Sequence, residues 1–130
     1  MRVDGLDRID VLTSDNVWAL RELPDRLLVL GGGPIGCELA QAFARLGSRV
    51  IQVEMLPRLL GREDPEVSER VRVRFAAEGI DVRTGHKALR IEAGEAPSLV
   101  CEHDGGEVRL SFDRLLCALG RAPNTEGYGL

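Results

Sequence analysis

Leu27-Leu28-Val29-Leu30-Gly31-Gly32-Gly33-Pro34-Ile35-Gly36-Cys37-Glu38-Leu39-Ala40, continued through Gly47 to Val50-Ile51-Gln52-Val53-Glu54, is the stretch that decides the fold. The apolar run Leu27–Leu30 reads as a buried strand. It runs straight into a G-x-G-x-x-G turn at Gly31, Gly33 and Gly36. A helical pattern follows from about Ile35 to Leu46 and closes at Gly47, with Ile35, Leu39, Phe43 and Leu46 as its expected buried stripe. A second apolar run, Val50–Val53, ends on the acid Glu54.

Each position in this order has a physical reading. Gly31 permits the tight turn off the strand. Gly33 lets the backbone approach a pyrophosphate, and Gly36 lets the helix pack closely on the strand. Pro34 falls just inside the helix start, where a missing N–H costs little. The first amides of that helix, around Gly33 to Ile35, lack internal partners and face outward. Together with the helix dipole they form a site for phosphate oxygens. Glu54 follows Gly31 by 23 residues, near the separation of about 20 seen in dinucleotide-binding units. An acid there accepts hydrogen bonds from ribose hydroxyls and repels a 2′-phosphate, so NAD is expected over NADP. Arg58 and Arg62 lie just beyond it and are the residues that would favour NADP instead.

The rest of the chain sorts into a lead-in, residues 1–24, and a dinucleotide-binding domain, residues 25–130. Ser14 is expected to cap a short helix over 15–20. Residues 65–78 alternate like a strand around Val71 and Val73. Yet Val67, Val71 and Phe75 share a helical stripe, Pro65 suits a first turn and Gly79 an end, so a helix is expected. Its arginines then pair at i,i+4, as Glu66–Arg70 and Arg74–Glu78. Residues 80–83 read as a third parallel strand. Runs at about 86–93, 97–103 and 107–112, separated by turn chemistry, read as an antiparallel meander. Arg114–Ala118 reads as a further buried strand. The expected class is α/β, a Rossmann-like three-layer domain with a small parallel sheet and a three-stranded β-meander.

Composition narrows the function. Seventeen Lys and Arg against 21 Asp and Glu give a net charge of −4, which argues against nucleic acid and anionic membranes. The apolar runs are too short to span a bilayer. Three cysteines, at 37, 101 and 117, are widely spaced. They suggest neither a disulfide framework nor a metal cluster, and fit a reducing cytoplasm. Cys37 sits near a helix N-terminus, which can activate a thiol, but packing against the sheet is the expected role. Cys101 and Cys117 read as core.

Glycine turn, Glu38, Glu54, meander and the ending Ala118-Leu119-Gly120-Arg121-Ala122-Pro123-Asn124-Thr125 together resemble the central NAD-binding domain of the FAD-dependent pyridine nucleotide–disulfide oxidoreductases, over about residues 10–130. The resemblance implies that the amides around Gly33 to Ile35, with Pro34 shaping the turn between them, surround the pyrophosphate and that Glu54 holds the adenine ribose. It implies that Glu38 lies near the nicotinamide, and that Leu119, Gly120 and Arg121 border its junction with a flavin. Many relatives carry Tyr or Val where Pro34 stands, so no aromatic gate is expected. It further implies FAD and interface domains in a longer, homodimeric parent. This chain carries no Cys-x4-Cys pair, and His86 and His103 lack the context of the family's catalytic base. No catalytic or metal-binding residue is therefore expected here, and the isolated domain should be inactive. The alternatives are the same module in a flavoprotein without the disulfide, such as an NADH oxidase or ferredoxin reductase, and a non-enzymatic nucleotide sensor.

Overall fold

Strand β2 (Arg26–Leu30), helix α1 (Pro34–Leu46) and strand β3 (Arg49–Glu54) form the first parallel unit of the computed structural model, which describes residues 3–119. Helix α2 (Pro65–Ala77) then leads to β4 (Asp81–Thr84), the next strand of the same sheet. Strands β5 (Lys87–Glu92), β6 (Ser98–His103) and β7 (Gly106–Ser111) make a separate antiparallel sheet. The chain returns through β8 (Arg114–Cys117), which inserts beside β2. With β1 (Val11–Leu12) at the edge, the parallel sheet has the order β1-β8-β2-β3-β4.

Two apolar layers explain why β2 is hydrophobic on both faces. Leu27 and Val29 join Leu39, Ala40, Phe43 and Phe75 on the helix side. Leu28 and Leu30 join Leu99, Cys101, Leu110 and Phe112 on the meander side. The protein is therefore the expected three-layer α/β fold, with helices, parallel sheet and meander stacked in turn. The segment expected as a lead-in contributes β1 to the sheet and places Val3, Leu12 and Val17 in the two cores.

Several local expectations need correction. Ile35 and Leu46 are not part of the buried stripe, being 46% and 66% exposed. The inward face of α1 is instead Gly36, Cys37, Leu39, Ala40 and Phe43. Small residues at 36 and 40 let the helix axis approach β2, which centres the contact on them and turns Ile35 outward at the sheet's end. Around Ser14 there is only a 3-10 turn at Val17–Ala19, led by Asn16, whose side chain accepts from the Thr13 amide. Helix α2 forms as expected, capped by Asp64. Its inward face, however, uses Ser68 rather than Val67: the Ser68 hydroxyl donates to the Leu59 carbonyl at 2.7 Å, while Val67 is exposed. Both expected i,i+4 ion pairs are present, although Glu78 is gripped more closely by Arg45 and Gln41 of α1. Cys117 is half-buried rather than core.

Candidate functional site

Strand order places the site. The connection from β2 goes through α1 to β3 on one side, whereas the neighbour on the other side is β8. In such sheets ligands bind outside the carboxyl ends of the strands where the order reverses. Here the order reverses between β2 and β8, at the ends where Leu30 passes into the glycine turn and the Ala118 amide donates to the Leu30 carbonyl at 2.8 Å. Leu119, half-buried, follows directly on this junction. Gly120 and Arg121 lie outside the described residues.

The turn is shaped by close approach. Gly31 has φ +125, and a Cβ there would stand 2.6 Å from the Ala118 carbonyl oxygen. A Cβ on Gly36 would run into the Gly31 carbonyl oxygen. Gly33 differs from both. Its φ of −82 is open to any residue, and an added Cβ would meet nothing within 4 Å. Protein packing does not require a glycine at 33, and the space above it is where a pyrophosphate would approach. Pro34 opens α1, so the first free amides of the helix belong to Ile35 and Gly36. These residues fit the dinucleotide that the sequence pattern implies.

Glu54, at the tip of β3, reaches back to the turn. One carboxylate oxygen accepts the Gly32 amide at 2.7 Å and the other accepts the Leu56 amide at 2.8 Å. A carboxylate offers about four acceptor positions, so sites remain for ribose hydroxyls. The loop after β3 is fixed against the turn. The Leu60 amide donates to the Gly32 carbonyl at 2.7 Å, with Leu60 in the left-handed region at φ 53. The Arg58 guanidinium is pinned to the carbonyls of Gly61 and Glu63, both at 3.0 Å. Arg58 is thus occupied in shaping its own loop, whereas Arg62 is exposed and joined to no described residue by a hydrogen bond or ion pair. Glu38 likewise stands exposed on α1 without such a partner among the described residues.

Beneath the turn lies a buried polar group that the sequence reading passed over. Gln52 is fully buried, and its Nε2 donates to the Gly31 carbonyl at 3.1 Å and lies 3.5 Å from Cys37 Sγ. Its only sequence signal is a polar residue inside the apolar run Val50–Val53. The Cys37 thiol points to the Gly32 carbonyl at 3.5 Å. Burial, partly offset by Gln52 and reinforced by Glu54, holds Cys37 above the ordinary thiol range. That is the opposite of an activated nucleophile. Burial likewise pushes the Cys101 thiol to about 11.

His86 and His103 stack with ring centroids 4.0 Å apart, on the meander side of the β4 end. Their Nδ1 atoms bond the carbonyls of Thr84 and Gly85. The pair therefore ties the hairpin to the parallel sheet. Among the described residues, no helix is long and apolar enough to cross a membrane.

Residues 2–129 match the family model described as pyridine nucleotide-disulphide oxidoreductase. The chain is 44% identical over 130 residues to a mercuric reductase of Streptomyces lividans, covering 98% of this chain and 27% of that protein. It is 40% identical over 125 residues to a dihydrolipoyl dehydrogenase of Thermus scotoductus, covering 93% and 27%. Among solved structures, the HOCl-induced flavoprotein disulfide reductase RclA of Escherichia coli, as its Cu(II) complex, superposes with a TM-score of 0.83 at 32% identity, covering 96% of this chain and 28% of that one. A ferredoxin reductase of Rhodopseudomonas palustris superposes at 0.82 and 30% identity, covering 99% and 33%. The chain thus spans about a quarter of the length of the curated relatives it matches.

Proposed function

The chain belongs to the pyridine nucleotide-disulphide oxidoreductase family, and from that premise we propose that it is the NAD(H)-binding domain of an FAD-dependent member. The single observation that carries this reading is the glycine turn, where open space above Gly33 meets the free amides of α1 and the Glu54 carboxylate. In this reading the amides of Gly33, Ile35 and Gly36, with the dipole of α1, hold the pyrophosphate. Pro34 presets the first helical turn at no cost in donors. Glu54 takes the ribose hydroxyls on the acceptor positions left by Gly32 and Leu56. Glu38 and Leu119 are assigned to the nicotinamide side in this reading. The bound nicotinamide supplies the hydride chemistry with FAD, and this chain's residues bind and orient it. FAD, the redox cysteines and the second subunit of a homodimer are assigned to the rest of a longer parent. The isolated chain is expected to bind dinucleotide and to catalyse nothing.

NAD is proposed over NADP because Glu54 occupies the ribose position and Arg58 is bound to backbone carbonyls. Calorimetric titration of wild type and Glu54→Arg with NADH and NADPH tests this. Wild type should prefer NADH, and the substitution should erase or invert the preference. Tighter NADPH binding by wild type would sink the assignment and point to Arg62. The alternative reading, a parent flavoprotein without the disulfide, predicts the same binding. It differs in lacking a Cys-x4-Cys pair elsewhere in the parent.

A further inference from the structure

Gln52 and Glu54 are two residues apart on β3, so both side chains leave the same face of the strand. That face is the helix side, which also receives Val50. Gln52 Nε2 donates to the Gly31 carbonyl at 3.1 Å, and Glu54 accepts the Gly32 amide at 2.7 Å. The Gly31 carbonyl and the Gly32 amide are the two ends of one peptide group. A single strand therefore grips one peptide plane at both ends, and that plane begins the glycine turn.

The grip is costly to build. Gln52 is 0% exposed, and its Oε1 is buried with no hydrogen-bond partner among the described residues. An unsatisfied buried acceptor ordinarily disfavours such a residue against an apolar one. The amide cannot relieve this by flipping, because Oε1 would then face the Gly31 carbonyl oxygen. Gly31 is in turn confined, since Gly36 packs directly on its carbonyl.

We propose that Gln52 is a positioning residue for the dinucleotide: by holding the Gly31–Gly32 peptide, it fixes both the phosphate-facing turn and the carboxylate of Glu54. This rests on the dinucleotide reading and adds a residue to it. Glu54 meets the ribose with a carboxylate already oriented by the Gly32 amide, and that amide points correctly because Gln52 holds the other end of its peptide. Without Gln52 the peptide plane loses its hydrogen bond at the carbonyl end, the Gly32 amide is held less firmly in its aim, and the Glu54 carboxylate that it orients loosens with it.

Gln52→Met keeps the volume and removes both the donor and the orphaned acceptor, so the fold should persist. NADH binding should weaken roughly tenfold, the effect of losing one well-made hydrogen bond from a preorganised site. In hydrogen exchange the Gly32 amide should lose protection, while Val100 and Cys101 amides in the meander keep theirs. A purely structural role would lower protection throughout. In a double-mutant cycle with Glu54→Gln, the two losses should be clearly less than additive. Binding by Gln52→Met within twofold of wild type, or fully additive losses, would overturn the proposal. So would an unchanged Gly32 amide. If the variant does not fold, the wild-type side chain is the readout: slowly exchanging Gln52 Nε2 protons with a cross-peak to Cys37 are expected, and fast exchange overturns the clamp. If wild type binds no NADH, the dinucleotide reading fails by itself, while Gly32 exchange still judges the clamp.

Discussion

Replacing Gly33 by Ala separates ligand binding from folding. At φ −82 the backbone accepts alanine, and the new Cβ meets no protein atom within 4 Å. Two small effects on stability oppose each other. Alanine is a poorer N-cap than glycine by about 0.5–1 kcal/mol. It also lowers unfolded-state entropy, which stabilises by about 0.4–1 kcal/mol. The net should stay within about 0.5 kcal/mol, a shift of at most about 3 °C in Tm for a chain of this size. The methyl, however, stands where a pyrophosphate must come close. Losing the equivalent of one charge-assisted hydrogen bond, about 1.5–3 kcal/mol, lowers NADH affinity roughly tenfold to a hundredfold. Gly36→Ala is the contrast, because its Cβ overlaps the Gly31 carbonyl oxygen. Overpacking of this kind costs about 1–3 kcal/mol, so Tm should fall as well as affinity. Thermal melts and NADH calorimetry on the three proteins read both quantities. Unchanged NADH binding by Gly33→Ala, or a loss of Tm as large as that of Gly36→Ala, would refute the reasoning.

Two further outcomes follow from the electrostatics. With burial holding both thiols in the neutral form, Cys37 and Cys101 should resist a thiol-specific reagent at neutral pH until the protein unfolds. Rapid labelling of Cys37 in the folded protein would revive a redox role for it. Asp113 is held below the usual carboxylate range chiefly by hydrogen bonds from the Arg26 side chain, then by the Arg26 amide. A depressed carboxylate stabilises the fold above its ordinary pKa of about 3.9, and that contribution is lost as pH falls through the folded-state value. The Tm gap between wild type and Asp113→Asn should therefore be constant near neutrality and shrink below about pH 4. A gap that widens in acid would contradict this linkage. Both groups are partly exposed, so the gap should be small.

Much of this was legible because the deciding signals are local. The turn, its strands and Glu54 follow from residue types whose backbone or charge requirements act over a few positions. Helix α2 was readable from Pro65, Phe75 and Gly79 despite its alternating valines. What escaped depends on how elements pack. Ile35 and Leu46 fit a helical stripe on paper, but the close approach allowed by Gly36 and Ala40 rotated the contact away from them. Ser68 replaced Val67 on the inner face because the Leu59 carbonyl needed a donor. Gln52 was passed over because its partner is a backbone carbonyl 21 residues away. Arg58 looked like a free cation for a phosphate until the loop carbonyls that it binds were visible.

The most direct test of the central claim is a backbone-amide NMR titration of this 14.2 kDa chain with NADH. The largest shifts should fall on Gly32, Gly33, Ile35 and Gly36, with Glu54 and Leu119 beside them. Shifts concentrated elsewhere, for instance on the exposed face of α2 around Glu69 and Val73, would contradict it, as would none at saturating ligand.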